Sequence, residues 1–341
     1  MTAKIARFLA DHQPATPCLV LDVDRVEANF RAIQAALPLA QVYYAVKANP
    51  APQILDRLVG LDSRFDAAGI EEIEACLAAG AQPAAISFGN TVKKASAIRR
   101  AHAAGVSMFA FDSDEELEKL AECALGSRVY CRILVENEGA DWPLSRKFGT
   151  TVEHARALMA KAGAMGLDPF GLSFHVGSQQ TSTSSYEAAI AKVGMLFTDL
   201  RDAGVNVRMV NLGGGFPVRY RDEVPGIDRF ADAIMHAMTE HFGNALPEMV
   251  IEPGRSVVGD AGVVSAEVVL VARKGADPVR WVYLDIGRFG GLAETEGEAI
   301  KYRFVTPHDG GEAGPVAIAG PTCDGADILY EKSNYRLPLA L

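Results

Sequence analysis

From residue 41 onward, short apolar runs alternate with longer segments of helical period. The runs 41–48, 64–69, 84–90, 108–113, 128–134, 171–177, 207–213 and 248–253 are dominated by aliphatic and aromatic residues and close on polar residues or glycine. That is the pattern of strands buried on both faces. Between them, 70–79 sets Ile73, Cys76 and Leu77 on one helical face, with Gly80 placed to end the helix. The segments 115–123, 151–164, 186–203 and 228–242 carry the same period. Eight strands, each followed by a helix or loop, predict a (β/α)8 TIM-type barrel. A doubly wound open sheet competes, but no G-x-G-x-x-G lies between an early strand and its helix.

After about residue 262 the texture changes. Runs 263–272, 279–284 and 315–319 are β-rich with little helical period between them, and 17–23 also has the pattern of a strand. A helix is predicted over 24–36 with Asp24 as its N-cap. The expected organisation is a barrel of residues 38–262, with residues 1–37 and 263–341 forming a second, β-rich domain.

Composition narrows the function classes. A net charge of −10 over 341 residues argues against nucleic-acid and anionic-membrane partners. Cys18, Cys76, Cys123, Cys131 and Cys323 are odd in number and show no CxxC spacing, so neither a disulfide framework nor a zinc site is expected. Residues 1–14 carry charges and lack the apolar core of a signal peptide, and no window has the length of a membrane span. The cytoplasm is the expected compartment.

The strand ends carry the chemistry. In such a barrel the carboxyl ends of the strands face the active site, and here they bear Lys47, Asp66, Asn90, Asp112, Arg132, His175, Gly213-Gly214-Gly215, Glu252 and Arg255. A lysine at a strand's end is expected to be partly desolvated, which favours the neutral amine that forms a Schiff base. Three successive glycines let backbone N–H groups approach one anion. Ser178 and Arg255 are candidates to add side-chain donors. Taken singly, Lys47 is equally a surface lysine, the glycines a tight turn and His175 a core histidine. As a set they suggest pyridoxal 5'-phosphate, with His175 against the ring and Glu252 beside its nitrogen. A second cluster, Gly320-Pro321-Thr322-Cys323-Asp324-Gly325-Ala326-Asp327, puts a cysteine among polar loop residues. Cys323 is a candidate proton donor and Asp324 a candidate partner for a cation; the competing reading is a turn with an inert cysteine.

These motifs resemble those of the fold-type III pyridoxal-phosphate-dependent amino-acid decarboxylases. The matching stretches are Tyr44-Ala45-Val46-Lys47-Ala48-Asn49, Phe65-Asp66-Ala67-Ala68, Ser173-Phe174-His175-Val176-Gly177-Ser178, Gly213-Gly214-Gly215-Phe216-Pro217, Glu252-Pro253-Gly254-Arg255 and Gly320-Pro321-Thr322-Cys323-Asp324. They run in family order over nearly the whole chain. The resemblance implies an alanine-racemase-like fold, with Lys47 carrying the cofactor and His175 stacking on its ring. It also implies that Ser178, Gly213, Gly214, Gly215 and Arg255 hold the phosphate, that Glu252 pairs the ring nitrogen, and that Asp66 and Arg132 lie near the cofactor. Cys323 is implied to reach the site of a neighbouring subunit in a homodimer and to reprotonate Cα after CO2 leaves.

Within the family, Thr322-Cys323-Asp324-Gly325, Gly215-Phe216-Pro217 and the segment 139–149 resemble the bacterial ornithine and lysine/ornithine branch. The implied reaction is decarboxylation of L-ornithine to putrescine, extending to lysine and cadaverine, with Asp324 on the distal ammonium. The eukaryotic ornithine enzymes have an aspartate where this chain has Arg303. The stretch 289–296 instead resembles a bacterial substrate-selecting segment, which brings in Glu294 as a second substrate contact. The sequence ends at Leu341, ahead of C-terminal strands that the resemblance implies, so the second domain is expected to lack its C-terminal end. Three rival readings remain: another basic-amino-acid or diaminopimelate decarboxylase, an inactive regulatory homologue, and a lysine-dependent aldolase. The aldolase leaves the Glu-Pro-Gly-Arg and Cys-Asp motifs unexplained.

Overall fold

The computed structural model describes residues 1–135, 139–142 and 147–341. Its contacts divide into two compact units, Val23–Val218 with Val224–Gly259, and Met1–Asp22 with Arg219–Glu223 and Asp260–Leu341.

In the first unit, eight parallel strands close into a barrel. They are Ala40–Ala45, Arg64–Ala67, Ile86–Phe88, Met108–Phe111, Arg128–Arg132, Asp168–Ser173, Met209–Asn211 and Glu248–Ile251, with the last pairing back onto the first. Each lies within or beside one of the eight apolar runs. Tyr43, Met108, Ala110, Tyr130, Phe170, Met209 and Val250, drawn from six strands, form one buried cluster. The barrel is thus a packed core, and its strand ends become a platform rather than a pore. Where Asp168–Ser173 runs beside Met209–Asn211, a Cβ on Gly171 would lie 2.5 Å from the Met209 carbonyl oxygen, so glycine permits that close strand approach.

The helix Val23–Ala36 belongs with this unit, not with the β-rich domain as a boundary at 38 has it. Val26, Phe30 and Ile33 form its buried face, and Asn29 Nδ2 donates to the Val257 carbonyl at 3.0 Å. Asp24 lies inside the first turn rather than at the cap, and its carboxylate meets Arg57 at 3.1 Å. After Ile70–Ala78 the cap is Ala79, and Gly80 follows with φ +94°. That left-handed position suits glycine.

A buried ion-pair network braces the loops after the third and fourth barrel strands. The Lys93 side chain is fully buried; its Nζ donates to the carbonyls of Asn90 (2.8 Å) and Ala110 (2.6 Å) and lies 2.9 Å from Glu116 Oε1. Lys119 reaches the other Glu116 oxygen at 2.5 Å. Burial pushes the Lys93 ammonium down to about 8, with Glu116 opposing. Removing one partner of such a pair leaves an uncompensated buried charge. Lys93→Met is therefore expected to lower stability by about 3 kcal/mol, read from urea midpoints. Adding Glu116→Leu should recover most of the loss. A single variant as stable as the parent would refute the bracing role.

The second unit holds a five-stranded sheet. Val268–Arg273 is antiparallel to Arg280–Leu284, which is parallel to Ala313–Ala319; Ile328–Tyr330 and Arg336–Pro338 are both antiparallel to Ala313–Ala319. Val282, Leu284, Val316, Ile318, Leu329, Tyr330 and Leu337 are among its buried core. Cys18–Leu21 pairs antiparallel with Gly262–Ser265 in a separate two-stranded sheet, so the single run 263–272 is divided between two sheets. Among the described residues, no helix is long and apolar enough to cross a membrane.

Candidate active site

The strand Ala40–Ala45 ends one residue before a short 3-10 turn, Val46–Ala48, that carries Lys47. The turn is pinned from outside. Tyr44 Oη donates to the Asn49 carbonyl at 2.9 Å, and Asn49 Oδ1 accepts from Ala51 N at 3.0 Å. Lys47 itself is exposed. The turn that begins at Val46 leaves the residue exposed, where the strand pattern alone predicts partial burial.

Asp66 and Glu252 form the acidic part of the site. Asp66 is buried on the strand Arg64–Ala67, packed against Gly89, and its Oδ1 has no hydrogen-bond partner among the described residues. Burial, then the neighbouring Glu252, drives its carboxyl well above the usual carboxylate range, with Lys47 and Arg132 opposing. Glu252 follows the strand Glu248–Ile251. Its Oε1 accepts a short hydrogen bond from Asn211 Nδ2, and its backbone N–H donates to the Gly213 carbonyl at 2.8 Å.

His175 follows the strand Asp168–Ser173. Its Nδ1 accepts from the Gly177 N–H at 3.0 Å, a role open only to an unprotonated nitrogen. Burial, then Arg132, then Lys47, push the imidazolium well below its ordinary range. Geometry and electrostatics therefore agree on a neutral ring. Arg132 ends its own strand with its guanidinium 5.2 Å from the Phe148 ring centroid.

The glycines complete the floor. The three carbonyls of Gly213, Gly214 and Gly215 accept from Glu252 N (2.8 Å), Tyr186 Oη (2.7 Å) and Gln180 N (2.8 Å). Neither Gly214 nor Gly215 gives its N–H to a partner among the described residues. Gly215 holds φ +110°, and a Cβ there would overlap the Gly177 carbonyl, so only glycine lets the loop turn against 175–178. Nearby, Ser178 Oγ accepts from Arg255 Nε at 3.2 Å, and the adjacent Ser256 Oγ is buried without a partner among the described residues. Acceptors satisfied and donors left open make an anion cradle. A phosphate fits this donor set, and the neutral imidazole and Glu252 fit a flat ring bearing a protonated nitrogen.

Two strand-end residues do other work. Asn90 Nδ2 donates to the Ala68 carbonyl, and Asp112 Oδ2 accepts from Gly149 N at 2.7 Å. Of the segment 139–149, residues 143–146 lie outside the described residues; Ala140–Trp142 pairs antiparallel with Ser178–Gln180.

Cys323, Asp324 and Glu294 all belong to the other unit. Cys323 is exposed, whereas burial raises the thiols of Cys76, to about 12, and Cys131. Asp324 Oδ1 accepts from Ala326 N at 2.8 Å, leaving its second oxygen open. The loop is held by buried Asp327, which accepts from Arg288 N at 2.8 Å, Thr322 N at 3.1 Å and Thr322 Oγ1 at 2.7 Å. Gly287 and Gly320 pack so tightly on that carboxylate that a Cβ on either would overlap it. Arg288 Nη1 also donates to the Ala326 carbonyl at 2.6 Å. The Cys-Asp loop and the 3-10 stretch Ala293–Glu298 that carries Glu294 are therefore joined through Arg288 and Asp327. Asn211 carries no signal in sequence, and Asp327 stands there only as the last residue of the Cys-Asp cluster, without its bracing contacts.

Comparisons with known proteins agree with these units. Residues 23–259 match the family model described as pyridoxal-dependent decarboxylase, pyridoxal binding domain, and those bounds are the limits of the barrel unit. The chain is 35% identical over 332 residues to the lysine/ornithine decarboxylase of Selenomonas ruminantium, covering 97% of this chain and 83% of the relative. It is 34% identical over 338 residues to the diaminopimelate decarboxylase of Pseudomonas aeruginosa, covering 94% and 80%. Among solved structures, the lysine/ornithine decarboxylase of Vibrio vulnificus complexed with cadaverine superposes with a TM-score of 0.86 at 29% identity, over 99% of this chain and 90% of that one.

Proposed function

The chain belongs to the pyridoxal-dependent decarboxylases, and from that premise we propose that it converts L-ornithine to putrescine and CO2 and also accepts lysine, giving cadaverine. Bound in the barrel, pyridoxal 5'-phosphate supplies a conjugated ring that takes up the electron pair left at Cα when CO2 departs.

Each residue of the chain then has a task. Lys47 is the covalent attachment point, and its exposure leaves the amine open to exchange with the substrate's amine. Ser178, Arg255 and the open N–H groups of Gly214 and Gly215 hold the phosphate, while Gly213, whose N–H goes to Asn211 Oδ1, shapes the loop instead of donating to the phosphate. His175, neutral, offers a flat face to the ring without competing for its positive charge. Glu252 keeps the ring nitrogen protonated. Asp66 and Arg132 flank the cofactor. Cys323 delivers a proton to Cα, and Asp324, with Glu294, accepts hydrogen bonds from the substrate's distal ammonium. The reading includes a homodimer in which Cys323 of one subunit serves the barrel of the other. It also places the enzyme in the cytoplasm, a compartment that suits five free cysteines.

The observation that carries the substrate assignment is the open carboxylate oxygen of Asp324, one residue from exposed Cys323 on a braced loop. A carboxylate there discriminates for a side chain ending in a cation. The test is kcat/KM for ornithine, lysine, arginine and diaminopimelate. Ornithine should rank first and lysine second. Asp324→Ala should cut kcat/KM for ornithine by about 100-fold through loss of one charge-assisted hydrogen bond. A preference for diaminopimelate, or an Asp324→Ala variant with unchanged selectivity, would overturn the assignment.

A further inference from the structure

We infer that Asn211 is a positioning residue that locks Glu252 to the glycine cradle, so that the cofactor's ring nitrogen and its phosphate are gripped by one rigid element. The inference rests on the proposed pairing of Glu252 with that nitrogen and deepens it.

Asn211 ends the strand Met209–Asn211 beside the strand that leads into Glu252, with Asn211 in register with Val250. It is 1% exposed, and an amide buried that deeply must have both ends bonded. Both are. Its Oδ1 accepts from Gly213 N at 2.9 Å, and its Nδ2 donates to Glu252 Oε1. The backbone donor at Gly213 fixes which end of the amide is oxygen, so the NH2 must face the carboxylate. Glu252 N then donates to the Gly213 carbonyl at 2.8 Å. Three hydrogen bonds thus close a circuit, from the Asn211 side chain to the Gly213 backbone, to the Glu252 backbone and back through the Glu252 carboxylate. One arm of the circuit holds the first glycine of the cradle, and the other holds the acid that faces the ring nitrogen.

The choice of asparagine is physically pointed. Asp66 already lies near enough to Glu252 for its carboxyl to be pushed up, and a third acid would add to that repulsion. A neutral donor orients the Glu252 carboxylate through one hydrogen bond without adding a third acidic group. Removing that donor should let the carboxylate change rotamer and lose its aim.

The test compares binding of pyridoxal 5'-phosphate with that of its 1-deaza analogue, in which a C–H replaces the ring nitrogen. Equilibrium titration of the cofactor-free full chain, followed by intrinsic fluorescence, gives the ratio of the two affinities without reference to turnover. The parent should prefer the natural cofactor, and Glu252→Gln should abolish the preference. Asn211→Leu should lower it about tenfold while leaving binding of the analogue nearly unchanged. Because Asn211→Leu also strips Gly213 N of its acceptor, Asn211→Asp serves as the variant that keeps that bond and the side chain's shape. In it, a donor toward Glu252 exists only while the two acids share a proton. Its preference should therefore fall as the pH rises from neutral, whereas the parent's stays level.

Loss of preference in Glu252→Gln but full retention in both Asn211 variants at every pH would overturn the role of Asn211 and leave that of Glu252 standing. Retention of the preference in Glu252→Gln would instead overturn the pairing of Glu252 with the ring, and the inference with it.

Discussion

Lys47→Ala is expected to abolish decarboxylation, lowering the rate with ornithine by about 10^4-fold or more, as loss of a covalent attachment point does in comparable sites. The expectation is unusually clean because of where the residue sits. Lys47 is exposed on a 3-10 turn fastened by Tyr44 and Asn49, not by its own side chain. Truncating it removes no packing, so the thermal midpoint of the cofactor-free chain should stay within about a degree of the parent's. The proposed phosphate cradle of Ser178, Arg255, Gly214 and Gly215 is untouched. The variant should therefore still take up pyridoxal 5'-phosphate, but release it on dialysis. Three measurements separate a chemical role from a structural one: rate, thermal midpoint, and cofactor retained after dialysis. A variant that turns over ornithine at more than a few per cent of the parent rate would remove Lys47 from the mechanism. One that unfolds would show that the turn depends on the lysine after all.

Much of the barrel was legible because its strands are buried on both faces. The run from Val42 to Val46 reads as a strand whatever surrounds it, and its Asn49-Pro50 ending reads as a turn. The motif residues at 47, 66, 175, 178, 213–215, 252 and 255 lie in one unit for the same reason, since closure of the barrel brings all strand ends to one rim. What sequence could not give were features set by neighbours distant along the chain. Periodicity assigned helix 24–36 its face but not the unit it packs on; that depends on Asn29 meeting Val257. The two-residue break between Gly262–Ser265 and Val268–Arg273 is likewise invisible in a run of β-branched residues. Asn211 looks like any polar residue closing a strand until the register with Val250 brings it to Glu252. Asp327 looks like a turn aspartate until Gly287, some forty residues earlier, is seen packed on its carboxylate. Lys47 shows the opposite failure. Its motif was informative, but its expected desolvation was not, because burial depends on where the backbone leaves the barrel.

Cys323→Ala is expected to slow ornithine turnover by about 100-fold, the scale of losing a positioned general acid, and to change what is made. Without a donor at Cα, some turnovers should end with the proton delivered elsewhere, so that product carries an aldehyde in place of the amine and activity declines with each cycle. Product analysis therefore says more than rate. A structural defect would slow the reaction but leave putrescine as the product. The loop favours a local effect, since Cys323 is exposed and Asp327, Thr322 and Arg288 hold the backbone without it. Asp327 also explains why alanine should not let the loop collapse: its carboxylate is buried and bonded on both oxygens. The same variant tests the proposed sharing of sites. If Cys323 serves the partner's barrel, mixing equal amounts of Lys47→Ala and Cys323→Ala subunits should rebuild intact sites in the mixed dimers. Random pairing makes half the dimers mixed, and each mixed dimer holds one complete site of two, so about a quarter of the parent activity should return. A cysteine acting within its own subunit predicts no recovery at all, because every barrel would then carry one lesion.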